Sequence, residues 1–173
     1  MRKSHFKKHI EALSEQELRE ELDLLYSRLE EVRKFYTMEL GSSKDRQKKY
    51  EAAKKAIAAK FATKGIRKPR RPRIQKVKQI LNATGKMSVL SYEMIDIYLF
   101  TVETALNFMA KYNFYSVPIF NTVVQSFENA LTLIEENKMD MEYEERCRQI
   151  LGNSRISRDI HHLVNESYQR IYG

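Results

Sequence analysis

The sequence is poor in the residues that cross-link or interrupt a chain. It contains one cysteine, three prolines and five glycines in 173 residues. A lone Cys147 cannot form an internal disulfide, which favours a reducing compartment, most simply the cytoplasm. So few prolines and glycines also argue against a loop-rich fold. The hydrophobic fraction of 42% and the charged fraction of 31% are typical of a globular chain rather than a disordered one.

Long apolar runs are also missing. Residues 1–13 carry charge but lack the apolar core of a signal peptide. The most apolar segment, residues 94–110, is interrupted by Asp96 and Glu103 and is too short to cross a bilayer of about 30 Å. We therefore expect a cytoplasmic protein that does not enter a membrane.

The alternation of apolar and polar residues that marks a β-strand is not sustained anywhere, whereas apolar residues recur at helical spacing. Ser14 and Glu17 form a capping-box pattern at the start of the clearest helix, whose apolar stripe continues to about Leu40. Glycines follow several periodic segments, and we expect them to end helices in the left-handed conformation. These glycines are Gly41, Gly65, Gly85 and Gly152.

The pattern therefore predicts an all-α single domain of about six to seven helices over residues 1–173, arranged as an irregular antiparallel bundle or a short stack of helical hairpins. A short helix precedes the first long one, and the helix after the second proline is expected to start near Pro72. Besides this short helix at about residues 4–13, seven helices are predicted, over about residues 14–40, 44–62, 72–85, 88–112, 118–137, 142–151 and 157–172.

One region has no negative charge. Residues 52–92 contain twelve Lys and Arg and no Asp or Glu, although the whole chain has a net charge of only +8. The remaining residues therefore sum to −4. Eight of the twelve cations lie in residues 64–78, which include a basic, proline-containing connector at residues 64–72. The candidate polyanion-binding residues are Lys64, Arg67, Lys68, Arg70, Arg71, Arg73, Lys76 and Lys78.

Three interpretations of residues 64–78 remain open, and one of them is that the charge serves only the solubility of the protein. Lys and Arg release condensed counterions when they contact a nucleic-acid backbone, and an acid-free segment could follow its phosphates. The chain also has acidic segments, however: residues 11–31 hold eight acids and two bases, and residues 135–145 hold six acids and one base. Either segment could neutralise the basic segment within the chain or in a homo-oligomer. No zinc-finger spacing or aromatic RNA-binding motif supports the nucleic-acid interpretation.

The predicted helix over residues 88–112 carries one narrow polar stripe. Glu93, Asp96 and Glu103 share it, and we expect them to be solvated or to pair with the basic segment. Phe100 falls inside this stripe, where a charge would be expected. The position predicts an outward-facing ring and a contact with another subunit or partner.

Signals for catalysis or metal binding are weak. His5 and His9 have the i, i+4 spacing of metal-binding helices, but neighbouring cations disfavour a dication there. Arg146 and Arg148 could lower the pKa of the Cys147 thiol, although a lone helical cysteine is usually an inert apolar residue. No glycine-rich loop or nucleophile elbow is present. We expect no enzyme activity, no metal and no cofactor.

Several short patterns along the chain resemble a family of small bacterial helical proteins of unknown function. The patterns are Leu13-Ser14-x-x-Glu17-Leu18, Asp23-Leu24-Leu25-Tyr26, Ala53-Lys54-Lys55-x-Ile57-x-x-x-Phe61, Phe127-x-x-Ala130-Leu131, Glu145-Arg146-Cys147 and Ile160-His161. The resemblance covers most of the chain and implies a helical fold and a soluble protein. It implies no activity.

The sequence therefore leads to two functional hypotheses. The leading one is a non-catalytic helical binding or scaffold protein that acts through protein–protein contacts, with an unknown partner or with further copies of itself. The alternative is nucleic-acid or other polyanion binding through residues 64–78.

Overall fold

The computed structural model describes residues 2–63, 69–88, 90–152 and 158–173, with side chains described from residue 160 in the last range. These residues form nine α-helices and no strand. The predicted all-α class is confirmed, but the predicted number of helices is too low. The helices are α1 (Lys3–Ala12), α2 (Glu15–Arg28), α3 (Glu30–Glu39), α4 (Ser43–Phe61), α5 (Ile74–Met87), α6 (Ser91–Tyr112), α7 (Val117–Asn137), α8 (Asp140–Leu151) and α9 (Arg158–Tyr172).

The main difference lies in the predicted long helix over residues 14–40. Its start is correct, because Ser14 and Glu17 form both hydrogen bonds of the capping box. The helix is divided at Leu29, which has extended backbone angles (φ −108°, ψ 116°) and links α2 to α3. The apolar stripe continues across this break with no proline or glycine to mark it, so the sequence did not reveal it.

Left-handed helix ends occur at residues other than glycine. Asn113 after α6 and Lys138 after α7 have positive φ angles of 46° and 56°, whereas no glycine in the described ranges has a positive φ. Gly85 lies inside α5 rather than after it. The prediction of left-handed glycine caps is therefore wrong for the glycines in these ranges, and Gly65 lies outside the described residues.

The chain folds into two compact units, Met1–Ser42 and Ser43–Gly173. The prediction of a single domain over residues 1–173 stays a prediction. In the first unit, α2 packs against α3. Met38 is the one buried side chain among residues 2–42.

The second unit is built around α6 and α7, which share the most extensive helix contact and are joined by residues 113–116. Helices α4, α5, α8 and α9 pack around this pair. Each fully buried aliphatic side chain contributes roughly 1.5–3 kcal/mol to folding. The central pair supplies Ile95, Ile97, Leu99, Val102, Ala105, Ile119, Val123, Phe127, Ala130, Leu131 and Ile134, all with no exposed surface. None of the described helices is long and apolar enough to cross a bilayer.

Candidate functional site

The predicted polyanion-binding residues are only partly described. Lys64, Arg67 and Lys68 lie outside the described residues. Of the other five, Arg70 is exposed on the connector, and the remaining four line one cleft with a volume of about 720 Å³. We call it the basic cleft. Its walls are residues 71–78 and 114–121, and its cations are Arg71, Arg73, Lys76 and Lys78.

The start of α5 places these cations. The helix begins at Ile74, two residues after Pro72, so the prediction that Pro72 lies in the first turn is wrong. Ile74 and Val77 face the core, which leaves Lys76 between them and the preceding Arg73 exposed. The backbone N–H of Arg73 donates to the carbonyl of Lys60 at 3.2 Å, and this bond holds the end of the connector against the last turn of α4.

The opposite wall comes from the turn between α6 and α7. Asn113 ends α6 in the left-handed conformation, which Asn tolerates better than most residues, and the N–H of Phe114 donates to Met109 O at 3.2 Å. The ring of Phe114 packs edge-on against Phe108 at 5.8 Å. The next residue, Tyr115, is 52% exposed and lines the basic cleft. An anchored turn therefore presents an aromatic ring beside the cations.

No carboxylate among the described residues of the second unit neutralises the cations of the basic cleft. Its lining contains no Asp or Glu, and no carboxylate in the described part of residues 43–173 forms an ion pair with its cations. The first turn of α5 has no acidic residue and no side-chain cap, so the positive end of the helix dipole adds to the field. Segment 135–145, an expected internal partner, makes none of these pairs in the described residues.

A smaller polar pocket of about 170 Å³ adjoins the basic cleft, and Lys78 lines both. Asn82 follows Lys78 by one turn on α5. On α7, Asn121 in the basic cleft is followed at four-residue intervals by Gln125 and Asn129 in the pocket. The basic cleft thus continues between α5 and α7 as a row of side-chain amides, which sequence analysis missed because these residues are far apart along the chain.

The polar stripe of α6 pairs with other helices. Arg146 of α8 donates to Asp96 at 2.6 Å and to Glu103 at 2.7 and 3.1 Å, and Lys54 of α4 also binds Asp96. Burial alone would lower the pKa of Arg146, but its hydrogen bonds to the two carboxylates hold that pKa above the usual range. The expectation that Asp96 and Glu103 are solvated or pair with the basic segment is therefore wrong.

Phe100 lies on this same stripe but is half-buried rather than outward-facing. The ammonium of Lys54 is 6.0 Å from its ring centroid, within the range of a cation–π contact. The ring therefore has a partner within the chain. The predicted contact of Phe100 with another protein stays a prediction.

The structure also places the residues considered for metal binding or catalysis. His9 Nε2 lies 3.4 Å from Glu21 Oε2 in the first unit. Within the described residues, no group of three or more His, Cys, Asp and Glu side chains is arranged to hold a metal ion. Cys147 is fully buried, and burial raises its pKa to about 12 despite the neighbouring Arg146.

Comparison with known proteins places the chain in a family. A model of a family of unknown function (DUF6155) matches residues 1–172. No curated protein matches the chain. No solved structure matches it either. Because the family match extends over all but the last residue, the chain belongs to this family of unknown function.

Proposed function

We propose that the protein is a non-catalytic binding protein whose ligand is a single-stranded nucleic acid, held in the basic cleft. The observation that carries the proposal is the lining of this cleft: four cations and the exposed ring of Tyr115, with no carboxylate. Another interpretation of residues 64–78 is neutralisation by an acidic segment of the chain. No carboxylate in the described part of residues 43–173 pairs with the cations of the basic cleft in this way.

The chemistry of the basic cleft fits a single strand better than a duplex. Lys and Arg contacts to phosphates supply affinity without sequence preference. Exposed aromatic rings stack on unpaired bases and contribute roughly 1–3 kcal/mol per base. The amides of Asn82, Gln125 and Asn129 in the adjoining pocket could hydrogen-bond the edges of a base. A duplex keeps its bases stacked and leaves both the ring and the amides unused.

Fluorescence anisotropy with a labelled dodecamer of deoxythymidine tests the proposal. Four phosphate contacts on a single strand predict that log affinity falls against log salt concentration with a slope of about −3. The quadruple variant Arg71→Gln, Arg73→Gln, Lys76→Gln, Lys78→Gln should lose most of the affinity and nearly all of the salt dependence. A hairpin duplex should bind more weakly than the single strand.

A matched control removes the same charge elsewhere. Lys44, Lys48, Lys49 and Lys55 are exposed on α4 and outside the basic cleft. Replacing these four with Gln should leave most of the affinity in place. Equal losses in the two quadruple variants would show that binding follows net charge rather than this cleft, and no binding at about 25 mM salt would refute the proposal.

Self-association is a second candidate function, favoured by the first unit. Residues 2–42 have one buried side chain, and exposed apolar patches often mark protein interfaces. The acidic excess of residues 11–31 would suit the basic segment of a second copy. The exposed large apolar side chains are Phe6, Ile10, Leu22, Leu24, Tyr26, Leu29, Phe35 and Leu40.

Sedimentation velocity tests self-association. A dimer that forms at low salt and dissociates as salt rises would support the candidate. The variant Leu22→Gln, Phe35→Gln should shift the protein towards monomer if these exposed side chains contribute. A monomer across the accessible concentration range at low salt would exclude it.

A further inference from the structure

A second cleft lies among α4, α6 and α8, away from the basic cleft and with opposite charge. Its volume is about 440 Å³. We call it the acidic cleft. It is lined by Ser43, Gln47, Tyr50, Glu51, Lys54, Tyr92, Glu93, Asp96 and Tyr143. None of these residues was proposed as a binding site from the sequence.

Glu93 is the unusual residue of the acidic cleft. Its side chain lines the cleft, the residue retains only 9% of its accessible surface, and its Oε2 atom is buried without a hydrogen-bond partner in the described structure. A buried polar group without a partner is rare in a folded protein, because it loses its hydrogen bonds to water and gains none in return, and the penalty is larger for a charged group. The described residues therefore leave Glu93 Oε2 without the hydrogen-bond donor that a buried carboxylate oxygen requires.

The cation that lines the acidic cleft is already paired with two other carboxylates. Lys54 is the single cation among the described residues that line the acidic cleft, and its ammonium binds both Glu51, at 3.1 Å, and Asp96. Asp96 also accepts a hydrogen bond from Arg146. Among the described residues, the lining thus holds three carboxylates and one ammonium, and the oxygen without a partner belongs to the buried Glu93. A ligand that satisfies Glu93 would carry a positive charge and hydrogen-bond donors.

Three tyrosines complete the lining, and two of them are held by hydrogen bonds. The hydroxyl of Tyr50 donates to Ser88 Oγ at 2.9 Å, and that of Tyr143 donates to the carbonyl of Tyr92 at 3.3 Å. Their hydroxyl positions are thus fixed before a ligand enters. Tyrosine rings attract organic cations through their negative faces. A carboxylate beside several tyrosines should bind an ammonium or guanidinium group more tightly than a neutral molecule.

We propose that the acidic cleft binds an organic cation, with an ammonium or guanidinium group hydrogen-bonded to Glu93. A metal ion fits less well, because no three metal-ligating side chains are suitably grouped in the described residues and the ammonium of Lys54 stands beside the carboxylates. The cation belongs either to a small amine or to a Lys or Arg side chain of a peptide. Both sources offer Glu93 the same charged hydrogen-bond donor, and the experiment distinguishes between them.

Isothermal titration calorimetry with the full chain tests this proposal. The probes are 1,4-diaminobutane, agmatine and the neutral 1,4-butanediol, together with blocked tripeptides of sequence Gly-Lys-Gly and Gly-Arg-Gly. At least one cation should bind at least tenfold more tightly than butanediol. Tighter binding of the free amines identifies a small-molecule ligand, and tighter binding of the tripeptides identifies a side chain of a protein partner.

Variants locate the binding. Glu93→Gln keeps the size of the side chain and should weaken cation binding at least tenfold, while Glu135→Gln removes an exposed carboxylate outside the acidic cleft and should change it less than twofold. Tyr92→Leu, at a position 45% exposed, tests the ring without altering the buried carboxylate and should weaken binding severalfold. The proposal is overturned if no cation binds more tightly than butanediol, or if Glu93→Gln retains full affinity.

Discussion

The guanidinium of Arg146 in α8 forms a two-bond ion pair with the carboxylate of Glu103 in α6, from Nε at 2.7 Å and from Nη2 at 3.1 Å. Its third nitrogen, Nη1, donates at 2.6 Å to Asp96, which lies two turns before Glu103 in α6. Only arginine offers donors in a planar fork that can make all three bonds. This side chain is 29% exposed, so water screens these charges less than at the surface.

Replacing Arg146 should destabilise the second unit. Removing one partner of a fully buried ion pair costs about 3–5 kcal/mol, and partial exposure reduces this to about 2 kcal/mol for Arg146→Ala. Arg148→Ala, two residues later, removes an arginine that is 62% exposed and paired with Glu145, and should cost under about 0.5 kcal/mol. Urea unfolding gives both values, and equal losses would contradict the role of the ion pair.

Acid should weaken the same contacts through Asp96. Burial alone would raise the pKa of Asp96, but hydrogen bonds from Lys54 and Arg146 hold that pKa below its usual value. A carboxyl with a lower pKa in the folded state stabilises fully above its unfolded-state pKa of about 4, and this contribution is lost as pH falls through the folded-state value.

The free energy of unfolding should therefore differ most between the native protein and Asp96→Asn near pH 7, and the difference should shrink as the pH falls towards 3 and below. Urea midpoints across this range measure the effect. Glu135→Gln, which changes an exposed carboxylate with no ion pair to a described residue, is the control and should give a small difference at every pH. A difference for Asp96→Asn that is independent of pH would contradict this assignment.

Most helices could be predicted because their apolar spacing and start signals are local. The capping box at Ser14 and the apolar face of α7 are examples. The break at Leu29 could not be predicted, because an extended residue lies inside a continuous apolar stripe and no proline or glycine marks it. The left-handed ends at Asn113 and Lys138 were missed because such ends were expected only at glycines.

The two clefts differ in how far the sequence revealed them. The cations of the basic cleft were predicted because the absence of acids is visible in one continuous stretch. Tyr115 and Asn121 were not assigned to the basic cleft, because they come from a distant segment that folding brings beside it. The acidic cleft needed the structure entirely: in the sequence, Glu93 is one more charge on a polar stripe, and only its burial without a partner marks it.

The thiol of Cys147 should be unreactive in the folded protein. Burial raises its pKa to about 12, so the thiolate fraction at pH 8 is on the order of one in ten thousand. Disulfide exchange with Ellman's reagent should therefore proceed far more slowly in buffer than in about 8 M urea, where the protein is expected to be unfolded. Rapid reaction of the native protein, at a rate close to that of a free thiol, would contradict the buried position.

Lys138 offers a site for stabilisation. It ends α7 with φ 56° and ψ 44°, a conformation that costs a residue with a Cβ roughly 1 kcal/mol relative to glycine. Lys138→Gly should raise the free energy of unfolding by about 0.5–1 kcal/mol, and the melting temperature by about 2–4 °C at most. Lys138→Ala keeps the Cβ and should give no such gain, so calorimetry on both variants separates backbone strain from the loss of charge.

Tyr115 separates stacking from charge in the proposed nucleic-acid site. Because base stacking contributes roughly 1–3 kcal/mol, Tyr115→Ala should weaken binding of the deoxythymidine dodecamer about 5- to 150-fold. The slope of log affinity against log salt should stay unchanged, since no phosphate contact is lost. Tyr115→Phe keeps the ring and should bind nearly as the native protein does. If Tyr115→Ala binds with native affinity while the quadruple cation variant does not, the basic cleft holds phosphates alone and the ligand is a polyanion without stacked bases.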